Sequence, residues 1–146
     1  MATPTIFGRT SPGAFLRGHA RLRTVINATL ATLGIWFVAH VIGGVDLTTP
    51  QGEVGPIAVA LTTLLVGFAG WGLLALLERR TARAWTIWRT IAIVVLVVSL
   101  LGPLGAETGS GRIVLSVMHA FTAAILITGF ARTVGRPKYS DSRSGG

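Results

Sequence analysis

Four apolar runs, each about as long as the hydrocarbon core of a bilayer is thick, decide most of what this chain can become. They cover residues 24–45, 57–77, 85–104 and 113–131. About 20 residues of α-helix cross a ~30 Å hydrocarbon layer. Backbone amides exposed to lipid have no water to bond, so such runs must close their hydrogen bonds internally. The alternating pattern of a membrane barrel is absent from them. The expected fold class is therefore all-α: a four-helix transmembrane bundle with antiparallel neighbours and both termini cytoplasmic.

Composition agrees. Only 12% of the 146 residues are charged, against about a quarter in soluble domains, and the mean hydropathy is +0.67. With no cysteine, disulfides, thiolate metal sites and cysteine nucleophiles are excluded. A net charge of +8 in a soluble protein would suggest nucleic acid. Here the basic residues flank the apolar runs, so membrane lipid is the expected partner and nucleic acid is not.

Their distribution sets the orientation. Residues 1–23 carry Arg9, Arg17, Arg21 and Arg23, and residues 78–89 carry Arg79, Arg80, Arg83 and Arg89. The tail 132–146 carries Arg132, Arg136, Lys138 and Arg143, leaving Arg112 alone of the thirteen on the other side. The positive-inside rule then puts both termini and the 78–89 loop in the cytoplasm of a cell whose inner membrane the chain spans. Trp85 and Trp88 are expected at the cytoplasmic interface. Residues 1–23 read as a basic cytoplasmic segment with no cleavable signal. Residues 24–131 form the transmembrane domain, and the polar stretch 132–146 reads as a disordered tail.

Few groups within the spans could do chemistry. The four runs hold no Asp or Glu, which argues against proton-coupled pumps and cation transporters. There is no P-loop, dinucleotide fingerprint or HExxH motif. Ser116 lies one helical turn from His119 without an acid to complete a triad. The two imidazoles are the outstanding polar groups. At ~1.5 Å per residue, His40 and His119 lie about 8 and 9 Å in from the outer ends of their runs. One reading has each histidine neutral and hydrogen-bonded nearby. A sharper one joins them as a bis-histidine haem site, or as a metal site completed by Asp46, Glu53 or Glu107. A third has one histidine lining a polar cavity open to the outside.

Ala60, Thr63, Gly67 and Gly70 recur at three- and four-residue steps and form one smooth helix face for close packing. Asn27 is expected in an interhelical hydrogen bond. Arg79, Arg80, Arg83 and Arg89 form a basic cluster that sets topology and that could hold an anionic lipid headgroup. Gly102 and Pro103 are expected to loosen or end the third helix.

The segments GVDLT (44–48), WGLLALLERR with RAWT (71–86), SLLGPL (99–104) and Met118-His119 together resemble an uncharacterised, mostly actinobacterial family of small four-helix integral membrane proteins, a domain of unknown function. The resemblance covers about residues 24–131. It implies a four-span architecture and brings no activity, cofactor or catalytic residue. The residues therefore point to a non-enzymatic membrane protein acting through helix packing, as a homo-oligomer or accessory subunit. The haem or metal module and a small-solute or lipid transporter are the alternatives.

Overall fold

The computed structural model of the chain describes residues 12–134. Helix α1 (Pro12–Trp36) continues into a π-helical turn (Phe37–Ile42). Strands β1 (Thr48–Thr49) and β2 (Gly52–Glu53) form a two-residue antiparallel ladder pairing Thr48 with Glu53. Then come α2 (Pro56–Arg80), α3 (Ala84–Ser99), the single turn α4 (Leu101–Leu104) and α5 (Gly109–Ala131). Four segments are long and apolar enough to cross a membrane: Leu16–Ile42, Pro56–Arg80, Ala84–Leu104 and Gly109–Ala131. Their outward faces carry Leu30, Ile57, Leu65, Val97 and Ile113, all exposed, as lipid-facing helices require.

The helix ends have local causes. Proline occupies the first position of both α1 and α2, where its missing N–H costs nothing. Pro103 cannot donate to the carbonyl of Ser99 and its ring crowds that carbonyl. Accordingly α3 stops at Ser99 and restarts as α4, the break expected at Gly102-Pro103. Thr108 caps α5 by accepting from the N–H of Gly111 at 3.0 Å. That cap starts α5 at Gly109, four residues before the apolar run. Helix α1 likewise begins well before residue 24, because arginine favours helix and Arg21 turns into the bundle.

Helix α1 packs along both α2 and α5, while α3 leans on the same two helices from the other side. Two cores result. One, around Val25, Leu74, Trp88, Leu126 and Phe130, lies toward the end where the described chain begins and ends, beside the α2–α3 turn. The other, around Leu47, Val59, Ala106, Leu115 and Met118, lies under the β1–β2 hairpin. The first is termed below the terminal end and the second the hairpin end.

Two close approaches lock the terminal end. A Cβ at Gly129 would run into the side chain of Thr24, and one at Gly67 would lie 2.7 Å from Cγ1 of Val25. Gly67 thus brings α2 against α1. At Gly70 an added Cβ would meet Trp88 and Phe130 at an ordinary 3.6 Å. Thr63 is buried on the same side of α2 as Gly67, and Ala60 is half-buried.

An ion pair sits there that the four apolar runs do not reveal. Helix α2 extends past Leu77 to Arg80, so Glu78, which lies beyond the apolar run, is still helical and reaches α1. Arg21 is buried and donates from Nη1 and Nη2 to the two oxygens of Glu78 at 3.1 and 2.6 Å. Its Nε donates to Oγ1 of Thr133 at 3.0 Å. One guanidinium thus joins α1, α2 and the residues after α5, in the planar bidentate geometry arginine favours.

Candidate functional site

A cavity of about 660 Å³ lies between α2, α3 and α5. It exists because α3 meets the bundle mainly near its start. There Trp88 is buried, donates its Nε1–H to the carbonyl of Gly70 at 2.7 Å, and meets Phe130 edge-on. Trp85 stacks on Trp88 at 5.4 Å. Trp88 is therefore a core residue and not the interfacial belt residue expected. Beyond it small side chains, Ala58, Ala69, Ala92 and Ala123, leave the space unfilled. Trp88 and Leu73 form the floor, and Thr49, Gln51 and Val54 of the hairpin stand at the mouth. Thr62, Val66, Ala69, Ile91 and Val95 are exposed as well as lining, so the α2–α3 flank opens sideways.

The lining is predominantly apolar, with a few hydroxyls and one imidazole. Nδ1 of His119 lies 2.8 Å from the carbonyl oxygen of Leu115, one turn back. A carbonyl only accepts, so Nδ1 is the donor, which leaves Nε2 as the ring nitrogen open to a further partner. Oγ1 of Thr122 lies 2.6 Å from Oγ1 of Thr32 across the α1–α5 contact.

His40 lies elsewhere. It occupies the π-helical turn, within the last turn of the first span, whereas His119 lies about 15 Å from the start of α5. The equal depth expected of them is corrected by the early start of α5. The His40 ring stacks on Trp36 at 5.1 Å, donates from Nδ1 to the carbonyl of Val45 at 3.1 Å, and places Nε2 3.4 Å from Oε1 of Glu53. Trp36 donates its Nε1–H to the carbonyl of Val54 at 2.7 Å. These contacts tie the hairpin to the end of α1.

The other proposed ligands have their own placements. Asp46 accepts from the backbone N–H and hydroxyl of Thr48. Those two bonds, the hydroxyl's foremost, hold its carboxyl below the usual range. Glu107 is exposed, and its N–H donates to the carbonyl of Thr48. Among the described residues no three His, Asp or Glu side chains are grouped as a metal ion would need. His40 and Glu53 are brought together; His119 belongs to the cavity.

At the terminal end Arg79, Arg80, Arg83 and Arg89 are all exposed. Asn27 lies on an exposed face of α1 instead of at a helix contact. Arg9, Arg136, Lys138, Arg143 and most of the polar tail fall outside the described residues. Sequence reasoning allowed for one histidine lining a polar cavity; the cavity that His119 lines is predominantly apolar, and its place between α2, α3 and α5, the Arg21–Glu78 pair and the hairpin ties were missed. A hint of the pair lay in Glu78, the single acidic residue amid the arginines of the 78–89 loop.

The chain belongs to DUF6069, a family of unknown function, which it matches over residues 13–136. No curated protein and no solved structure matches it.

Proposed function

We propose that this member of DUF6069 is a multi-pass protein of the cytoplasmic membrane whose bundle holds a lipid-soluble small molecule between α2, α3 and α5. The observation that carries this reading is the cavity of about 660 Å³. Its size falls among small-molecule sites of ~300–1,000 Å³, which are mostly apolar with a few placed polar groups. Its side opening gives access from the bilayer. Among the described residues the cavity's polar groups are hydroxyls, one amide, one indole and one imidazole, a set that fits a binding or carrier role.

Among the described residues every arginine but Arg112 belongs to the terminal end, which supports placing that end in the cytoplasm. The exposed Arg79, Arg80, Arg83 and Arg89 then face anionic headgroups. A cysteine at Thr49 should react with an impermeant thiol reagent on intact cells, and one at Ala82 only after lysis. The opposite pattern reverses the orientation.

The binding reading is tested by organic extraction of protein purified in mild detergent. Wild type should release a neutral lipophilic compound in stoichiometric amount, and Ala92→Leu, which fills part of the cavity, should release much less. Equal yields from the two would place the bound compound outside the cavity.

A second reading, self-assembly, is favoured by an apolar groove of about 500 Å³ between α1 and α5, lined by Ala31, Gly34, Val38 and Val117. An added Cβ at Gly34 meets nothing within 4 Å. Gly34→Leu should convert a dimer to a folded monomer by mass in detergent; a mass unchanged by the substitution removes this reading.

A further inference from the structure

The protons of the cavity's deep polar groups are already committed. Thr63 donates to the carbonyl of Val59 at 2.8 Å and Ser99 to that of Leu96 at 2.8 Å. Thr32 donates to the carbonyl of Ala28 at 2.8 Å, so its contact with Thr122 is a hydrogen bond with Thr122 as donor. His119 donates from Nδ1 to Leu115. What these lining groups have left for a further partner is lone pairs, and on the His119 ring the nitrogen not already bonded is Nε2. Of the other polar lining groups, Thr49 donates its hydroxyl to the carbonyl of Gly52, while Thr62 and Gln51 are exposed and stand nearer the hairpin end.

A lining that presents acceptors selects a donor. His119 is the one ionisable group in that lining, so a charged occupant would find no counter-ion in a medium where bare charge is costly. A ketone, ester or ether would bring acceptor against acceptor. A bare hydrocarbon would leave Nε2 desolvated without a partner. Toward the floor the walls become wholly apolar, with Leu73, Leu126 and Trp88.

We propose that the occupant is an uncharged lipid-soluble alcohol or phenol, which donates its hydroxyl proton to Nε2 of His119 and runs its apolar chain toward Trp88. This rests on the cavity reading above and adds the polarity and direction of the ligand.

The experiment uses the full-length protein in lipid nanodiscs with ω-brominated hexadecanol, its methyl ether and a chain-matched alkylphenol. Bromine quenches indole fluorescence on contact. The Trp88 component is the emission that Trp88→Phe lacks. The alcohol or the phenol should quench that component at a lower mole fraction than the ether, and the tighter of the two identifies the hydroxyl class. His119→Phe should weaken hydroxyl-probe binding about 3- to 10-fold, the worth of one neutral hydrogen bond, and leave the ether unchanged. His119→Gln, which keeps an acceptor, should restore part of the loss and serves if His119→Phe does not fold. Equal quenching by alcohol, phenol and ether in wild type overturns the assignment of the headgroup while leaving the cavity reading intact. No quenching of Trp88 by any probe overturns the cavity reading itself.

Discussion

The terminal end and the hairpin end of this bundle are built from the same four chain segments and pack in opposite ways. At the terminal end helices touch backbone to side chain: Gly129 against Thr24, Gly67 against Val25. A buried guanidinium with every contact satisfied ties three segments together. Toward the hairpin end α3 stands off, alanines line a void, and cohesion passes to the loops through Trp36–Val54 and His40–Glu53. In membranes, where lipid is as apolar as leucine, close packing and interhelical polar bonds hold helices together. One end has both on every side; at the other, close packing is confined to the loops and the start of α5, where a Cβ at Gly111 would lie 2.7 Å from the carbonyl oxygen of Asp46, and α3 leaves space.

The sharpest way to break this contrast is to remove one partner of the ion pair. Glu78→Ala leaves Arg21 buried without a counter-charge and should cost about 3 kcal/mol, at the low end of the range for buried pairs because the Glu78 side chain remains 30% exposed. Thermal unfolding in detergent measures it, and a loss below a few tenths of a kcal/mol would show that the pair merely decorates the surface. Gly129→Ala comes next. The new methyl must displace the β-branched Thr24, and overpacking of this kind costs ~1–3 kcal/mol. Its control is Gly102→Ala at the hairpin end, where an added Cβ meets nothing within 4 Å. That change should not destabilise. Equal losses at the two positions would erase the difference in packing.

Ala92→Leu sharpens the comparison from the other side. The added carbons enter existing space, so delipidated protein should be unchanged or more stable by up to about 1 kcal/mol. A large loss of melting temperature would mean that the walls are less yielding than their alanines imply.

The smallest effect concerns pH. Hydrogen bonds from Thr48 lower the Asp46 pKa, so the carboxylate form is favoured by folding. Its contribution is present above the unfolded carboxylate pKa and is lost as pH falls through the lower folded value. The exchange protection of the Thr48 amide should fall in that acid range while the α1–α2–α5 core keeps its protection. An amide whose protection stays constant through it, or is lost above it, would detach the hairpin turn from Asp46.

The spans were legible because hydropathy is additive along a chain, and the break at Pro103 because proline acts on its own helix. The close approach of α2 was legible in part, from the spacing of Gly67 and Gly70. Its partner Val25 was not, since no local pattern names a residue on another helix. Arg21 was misplaced for a physical reason: charge counts treat every flanking arginine as solvated, and only the reach of Glu78 from α2 makes its burial affordable. The cavity is least legible of all. It is a shortfall of side-chain volume shared by three helices, and no one of them is unusual alone.

The π-helical turn at Phe37–Ile42 has a consequence for how the chain can change length. A wide turn holds more residues than an α-turn over the same rise, and here Gly43 donates to Val38, five residues back, at 2.9 Å. Deleting one residue inside it would leave a continuous helix with its hydrogen-bond ladder closed, so the backbone can absorb such a deletion. Six residues of the wide turn cover about the rotation of five in an α-helix, so the chain beyond the deletion would keep nearly its present direction. The side chains inside the turn would be re-aimed, and His40, which lies among them, would leave Glu53. A shortened relative would keep its hairpin over the first helix and lose the imidazole–carboxylate contact that joins them.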